Sequence, residues 1–105
     1  MILAHIIVPD IEQTMDIIKV LIENDLIFNA GISTKNVYEK NKENGTLDHF
    51  EQTLIIGKTK AMLFSKINDV LKAKYPNNMP MLYAIPIVYM DEEQYDLLRH
   101  RTASV

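Results

Sequence analysis

Gly57-Lys58-Thr59-Lys60 is the segment of this 105-residue chain best equipped to hold a ligand. Two ammonium groups and a hydroxyl stand where the apolar run Leu54-Ile55-Ile56 gives way to a helical pattern. A strand-to-helix junction offers free backbone N–H groups and the positive end of the helix dipole, both suited to a small anion. The glycine-rich stretch of a Walker loop is missing, so the segment is not a P-loop. A plainer role is equally open, in which Thr59 caps the helix and both lysines are solvated.

Metal chemistry has fewer footholds. His5, His49 and His100 lie far apart and form no HxxH or HxH pair. Imidazole suits copper-type divalent ions. His5 sits inside an apolar strand pattern, the usual setting of a core or subunit-interface histidine. His5 is nonetheless the sharpest metal candidate the sequence offers, if an oligomer brings copies of it together. His49 adjoins a hairpin tip, and His100 stands between Arg99 and Arg101, whose charges oppose a cation. Met79 and Met81 are the one close pair among six methionines, so packing is the expected role for most of them. No thiol, no paired carboxylates at an identifiable site and no recognisable nucleophile motif are present, so the chain is not expected to be an enzyme.

Composition narrows the partners. The net charge is -3, which argues against nucleic acid, a ligand that calls for excess Lys and Arg. The absence of cysteine rules out disulfides and thiolate zinc and favours a reducing interior. The apolar start, residues 1–10, lacks a basic n-region and is too short to span a bilayer, so a soluble cytoplasmic protein is expected, with no membrane partner. At this length one domain, residues 1–105, is expected.

The elements that must position these residues can be laid out in order. Residues 2–8, ILAHIIV, form a buried-strand pattern stopped by Pro9. Asp10 and Gln13 form a capping-box-like pair before a helix over about residues 11–24, marked by Ile11, Met15, Ile18 and Ile22 at helical spacing. Residues 27–39 read as extended, with an irregularity at Gly31. Asn44-Gly45 signals a hairpin tip, and FEQTLIIG returns. A second helix follows Thr59, with Leu63, Ile67, Val70 and Lys74 on one face. MLYAIPIVY is the last strand, and Asp91 with Gln94 caps a short helix carrying Tyr95 and Leu98. The tail, RTASV, is expected to fray. Pro76 stops the second helix, Pro80 starts the strand, and Pro86 suits an edge or bulge that needs no ladder donor.

The order is β-α-β-β-α-β plus a terminal helix, an α+β arrangement of the ferredoxin-like kind. Its helices cover one face of the sheet, yet ILAHIIV, TLII and MLYAIPIV are apolar on both faces. The chain has no further helix to cover the second face, so another subunit must do so.

Val8-Pro9-Asp10, the Tyr38 strand, LIIGKT (residues 54–59), the proline-bracketed run into Ile85-Pro86-Ile87, and Tyr95 together resemble the CutA family of divalent-cation-tolerance proteins over nearly the whole chain. The resemblance implies a homotrimer similar in architecture to PII signalling proteins, with strands crossing subunit boundaries and ligand clefts between protomers. It also brings Tyr38 and Tyr75 near Lys58, Thr59 and Lys60 as ligand-binding residues. A role in ion tolerance, homeostasis or signalling follows, with a copper-type divalent ion or a small anion as ligand and no firmly attached enzymatic activity. A PII-like anion or nucleotide sensor and a trimeric interaction scaffold with an inert cleft are the alternatives. The chain departs from the family at the HPYEVPE pattern, which reads YPNNMPM here: the prolines persist while the histidine and carboxylates become Tyr75, Asn78 and Met81. The family's frequent cysteine is Asn29, and the tryptophan expected two residues after Tyr38 is Lys40.

Overall fold

The computed structural model describes residues Met1–Val105. Strand β1 (Ile2–Val8) leads to helix α1 (Gln13–Glu23), then to the long hairpin of β2 (Ala30–Lys40) and β3 (Leu47–Thr59). A 3-10 turn at Ala61–Leu63 runs into α2 (Phe64–Lys74), followed by β4 (Met81–Pro86) and α3 (Glu92–Arg101). The four strands form one antiparallel sheet in the order β2-β3-β1-β4. This is the ferredoxin-like α+β topology with an added C-terminal helix.

Period-2 alternation in β1 divides the molecule into two faces. Ile2, Ala4, Ile6 and Val8 are buried, and Leu3, His5 and Ile7 between them are half-buried. The first set joins Ile55 from β3, Ile17 and Leu21 from α1, and Leu63, Ile67 and Leu71 from the α2 segment in one core. Each full burial of such a side chain contributes roughly 1.5–3 kcal/mol before chain entropy is counted. The second set looks out beside Ile56 and Tyr83 (opposite His5), Ile85 (opposite Leu3) and Met81 (opposite Ile7). Both core helices lie on the other side.

The turn at the hairpin tip follows its sequence. Gly45 has φ +73°, the left-handed region that a side chain resists, and Asn41 N–H donates to Thr46 O at 2.8 Å to close the loop. The prolines also sit where a ladder tolerates them. Pro80 precedes β4, Pro86 is its last residue opposite Ile2, and β4 is an edge strand.

Several expectations are revised. Of the apolar series Ile11, Met15, Ile18 and Ile22, only Ile18 packs against the core: α1 buries Gln13, Thr14, Ile17 and Leu21, while Ile11 is 73% and Met15 64% exposed. The capping box is not formed, because the Gln13 amide donates to Asn78 O at 3.1 Å and Asp10 Oδ1 accepts from Glu12 N–H instead. Gly31 makes no irregularity, since it pairs with Ile56 in an unbroken register. The last strand stops at Pro86, and the next N–H, that of Ile87, donates to Met1 O. Asp91 does cap α3, accepting from Gln94 N–H at 3.1 Å. The tail is tied down: Thr102 is buried with its hydroxyl donating to Leu98 O, and Ala103 N–H donates to Asp25 O at 2.7 Å.

Candidate functional site

Strand β3 carries the ligand segment further than its sequence suggests. Lys58 and Thr59 are strand residues, and the 3-10 turn separates them from α2, so Gly57-Lys58-Thr59-Lys60 does not open an α-helix. Alternation then sends neighbouring side chains to opposite faces. Thr59 points into the core at 0% exposure, where its hydroxyl donates to Leu26 O at 2.6 Å. It neither caps a helix nor reaches an anion. Thr59→Val keeps the shape but leaves the Leu26 carbonyl without this donor, and chemical denaturation should show a loss of about 1–3 kcal/mol.

Lys60 is committed as well. Its ammonium donates to Ala103 O at 2.7 Å and to Thr102 O at 3.4 Å, pinning the C-terminal segment. Lys58 is different: it is exposed, lies on the uncovered face opposite Leu3, and makes no ion pair, the one salt bridge being Arg99 with Asp96 on α3. It rims a cavity of about 190 Å³ walled by Phe28, Met90, Gln94, Leu97 and Leu98. Of the segment's three polar side chains, Lys58 alone is free to meet a ligand.

The two tyrosines do not join it within one chain. Tyr38 pairs with His49 across the hairpin, and their rings stack with centroids 4.6 Å apart at 15°. His49 Nε2 lies 3.1 Å from Asn36 Oδ1. From His49 to Lys58 is nine residues of strand, about 30 Å. Tyr75 ends α2, half-buried, and its hydroxyl is buried without a partner. Burial, and then the negative charge of Asp16, raise its pKa above the ordinary phenol value.

A raised pKa means that the unfolded chain releases this proton first. Ionisation of Tyr75 therefore leaves stability untouched below about pH 10, the ordinary phenol value, and stability falls as pH rises from there through the folded pKa. Tyr75→Phe should flatten the alkaline limb of melting temperature against pH. At neutral pH it should be neutral or stabilising by up to about 1 kcal/mol, because it removes an unpartnered buried hydroxyl.

His5 occupies the middle of the uncovered face. Its Nδ1 lies 3.3 Å from the Tyr83 hydroxyl, with ring centroids 5.1 Å apart. No group of three or more His, Cys, Asp or Glu side chains in the protomer could hold a metal ion. One imidazole beside a phenol does not fit a divalent ion, whose sites of this type gather several nitrogen, sulfur or carboxylate donors. Tyr83 itself escaped sequence reading. Its signal was the antiparallel register of β1 with β4, which no local motif announces.

A family model described as CutA1 divalent ion tolerance protein matches residues 2–100. The chain belongs to the CutA1 family. Among solved structures, CutA1 from Pyrococcus horikoshii superposes with a TM-score of 0.82 at 20% identity, covering 99% of this chain and 100% of that one. The divalent cation tolerance protein from Thermus thermophilus is 28% identical with a TM-score of 0.77, covering 98% and 100%. The periplasmic divalent cation tolerance protein CutA from Archaeoglobus fulgidus is 24% identical with a TM-score of 0.79, covering 96% and 98%. A comparison with curated protein sequences finds no match. CutA1 membership makes this a protein of the divalent ion tolerance class, and the family is not one of known enzymes. No helix is long and apolar enough to cross a membrane.

Proposed function

We propose that this CutA1-family chain acts as a homotrimer that binds a divalent ion or small ligand in clefts between its copies, in ion tolerance or signalling. The observation that carries the reading is the uncovered sheet face. Leu3, His5, Ile7, Ile56, Met81, Tyr83 and Ile85 lie on the side away from the core helices, and a face of that composition calls for a partner. A second and third copy of the same sheet are the partners we assign to it. Lys58 and Tyr38, separated along one hairpin, would then meet only if different copies supply them, with Tyr75 as a further wall. Three copies of His5 brought together would supply the three imidazoles that one protomer lacks. Thr59 and Lys60 support the cleft from behind by holding Leu26 and the C-terminal segment.

A second reading, a PII-like sensor of anions or nucleotides, is favoured by the unpaired Lys58 ammonium at the mouth of an apolar cavity. Thermal-shift and calorimetric titration with copper(II), zinc, phosphate, nucleotides and carboxylates separates the two. A shift with metals that His5→Ala abolishes supports the ion reading, and a shift with anions that Lys58→Ala abolishes supports the sensor. No shift with any of them rejects both and leaves an interaction scaffold. The compartment we propose is the cytoplasm, in keeping with a chain that has no cysteine; cell fractionation checks it.

A further inference from the structure

Gln94, Leu97, Leu98 and Arg101 stand at i, i+3, i+4 and i+7 of α3, so they share one flank of the helix. Phe28 N–H donates to Lys58 O at 2.8 Å, which sets residue 28 beside the end of β3. Between these two elements lies the cavity of about 190 Å³, with Met90, just before α3, as a further wall. Leu98 is buried, Phe28 and Met90 are half-buried, and Lys58 and Gln94 are exposed at the rim.

The charge around this cavity is of one sign. No Asp or Glu lines it, and Lys58 has no carboxylate partner. A second cation stands at the Phe28 wall: Arg101 Cζ lies 5.7 Å from the centroid of the Phe28 ring, within cation–π reach. Arg101 makes no ion pair either. Two uncompensated cations favour an anion, and walls of Phe28, Met90, Leu97 and Leu98 favour one that carries an apolar body. Phosphate and nucleotide phosphates are poorly served here. One ammonium and one carboxamide supply too few donors to replace the hydration of a multiply charged group. A single carboxylate needs no more than that. Size sets the rest: at about 30 Å³ for each water-sized group, the cavity takes about six such groups, a carboxylate on a chain of about four carbons.

We propose that the cavity between β3 and α3 binds a small apolar monocarboxylate, its oxygens on Lys58 Nζ and the Gln94 carboxamide N–H, its chain against Phe28, Met90, Leu97 and Leu98. The site rests on the anion-sensor reading of Lys58 and names the class of anion. Arg101 acts through the Phe28 ring and the local potential and does not touch the ligand.

Calorimetric titration of the full chain with pentanoate tests it, beside pentan-1-ol, acetate and inorganic phosphate. Pentanoate is expected to bind with a Kd of about 1 mM, in keeping with a ligand of so few atoms. Pentan-1-ol keeps the chain without the charge, acetate keeps the charge without the chain, and phosphate lacks the chain and is the costlier to desolvate. Each should bind at least about tenfold more weakly. Lys58→Met keeps the apolar stem and should weaken pentanoate about tenfold while leaving pentan-1-ol unchanged. Leu97→Ala should weaken pentanoate about threefold and leave acetate unchanged. Both positions are exposed, so the melting temperature of either variant should stay within a few degrees of wild type. Magnetisation transfer from the pentanoate chain to the Met90 methyl places the ligand in the cavity. Wild type that binds no pentanoate overturns the proposal. So does pentan-1-ol that binds as tightly as pentanoate, or a Lys58→Met variant with wild-type affinity. Failure of the sensor reading shows separately: phosphate or a nucleotide bound through Lys58 without pentanoate keeps that reading and rejects this ligand class, whereas a chain that binds no anion rejects both.

Discussion

Ile6→Ala should remove about 2–5 kcal/mol of folding stability, with a fall in denaturation midpoint and little change in its slope. Ile6 is fully buried, pairs with Ile55 on one side and Leu82 on the other, and belongs to the core with Ile17, Leu21 and Leu71. Truncation deletes three carbons where the sheet and two helices close on one another, so the hole cannot easily collapse. A domain of this size has only about 5–15 kcal/mol in total, and the variant sits near the edge of folding. Ile7→Ala supplies the contrast. Ile7 is adjacent in sequence and chemically identical but lies on the other face, half-buried. Measured on dissociated protomers, it should cost about 1 kcal/mol, in proportion to the smaller area it removes from water. Equal costs at the two positions would contradict the division of β1 into a covered and an uncovered face.

That division was legible in the sequence only in outline. Strand β1, the Asn44-Gly45 turn and the Asp91 cap announce themselves through short-range chemistry: a β-branched run, a residue tolerant of positive φ, and a carboxylate three residues before a free N–H. The same local logic does not choose between the flanks of α1. Met15, Ile17, Ile18, Val20, Leu21 and Ile22 are apolar nearly all round the helix, so periodicity offers two stripes, and only the position of the sheet decides that Ile17 and Leu21 go inside. Gln13 reads as a local capping partner but reaches 65 residues along the chain to Asn78 O. The ligand segment fails for a related reason. Strand and helix patterns meet at Thr59, and its role is set by the Leu26 carbonyl, which lies nearby only after β3 has folded alongside residues 26–28. The tail reads as free because anchors such as Lys60 and Asp25 are far off in sequence. Local chemistry fixes elements; long-range partners fix which side chains remain available to a ligand.

The uncovered face bears the second large effect. Ile56→Glu places a carboxylate beside His5 at the middle of that face, where the protomer leaves Ile56 half-exposed. In a lone chain the new charge keeps part of its hydration, and the melting temperature of the dissociated form should fall by only a few degrees, the response to about 1 kcal/mol in a domain of this length. In an assembly that buries the face, each copy must desolvate a carboxylate, at several kcal/mol per ion. Like charges gathered near a three-fold axis repel as well. The association constant should therefore fall by several orders of magnitude, so that sedimentation at micromolar concentration finds protomers where wild type gives a larger particle. Ile56→Val, which keeps the surface apolar, should leave assembly intact. An Ile56→Glu protein that retains the wild-type mass would place that face outside the interface. With it would go the reason for bringing three His5 imidazoles, or a Lys58 and a Tyr38 from different chains, into one site.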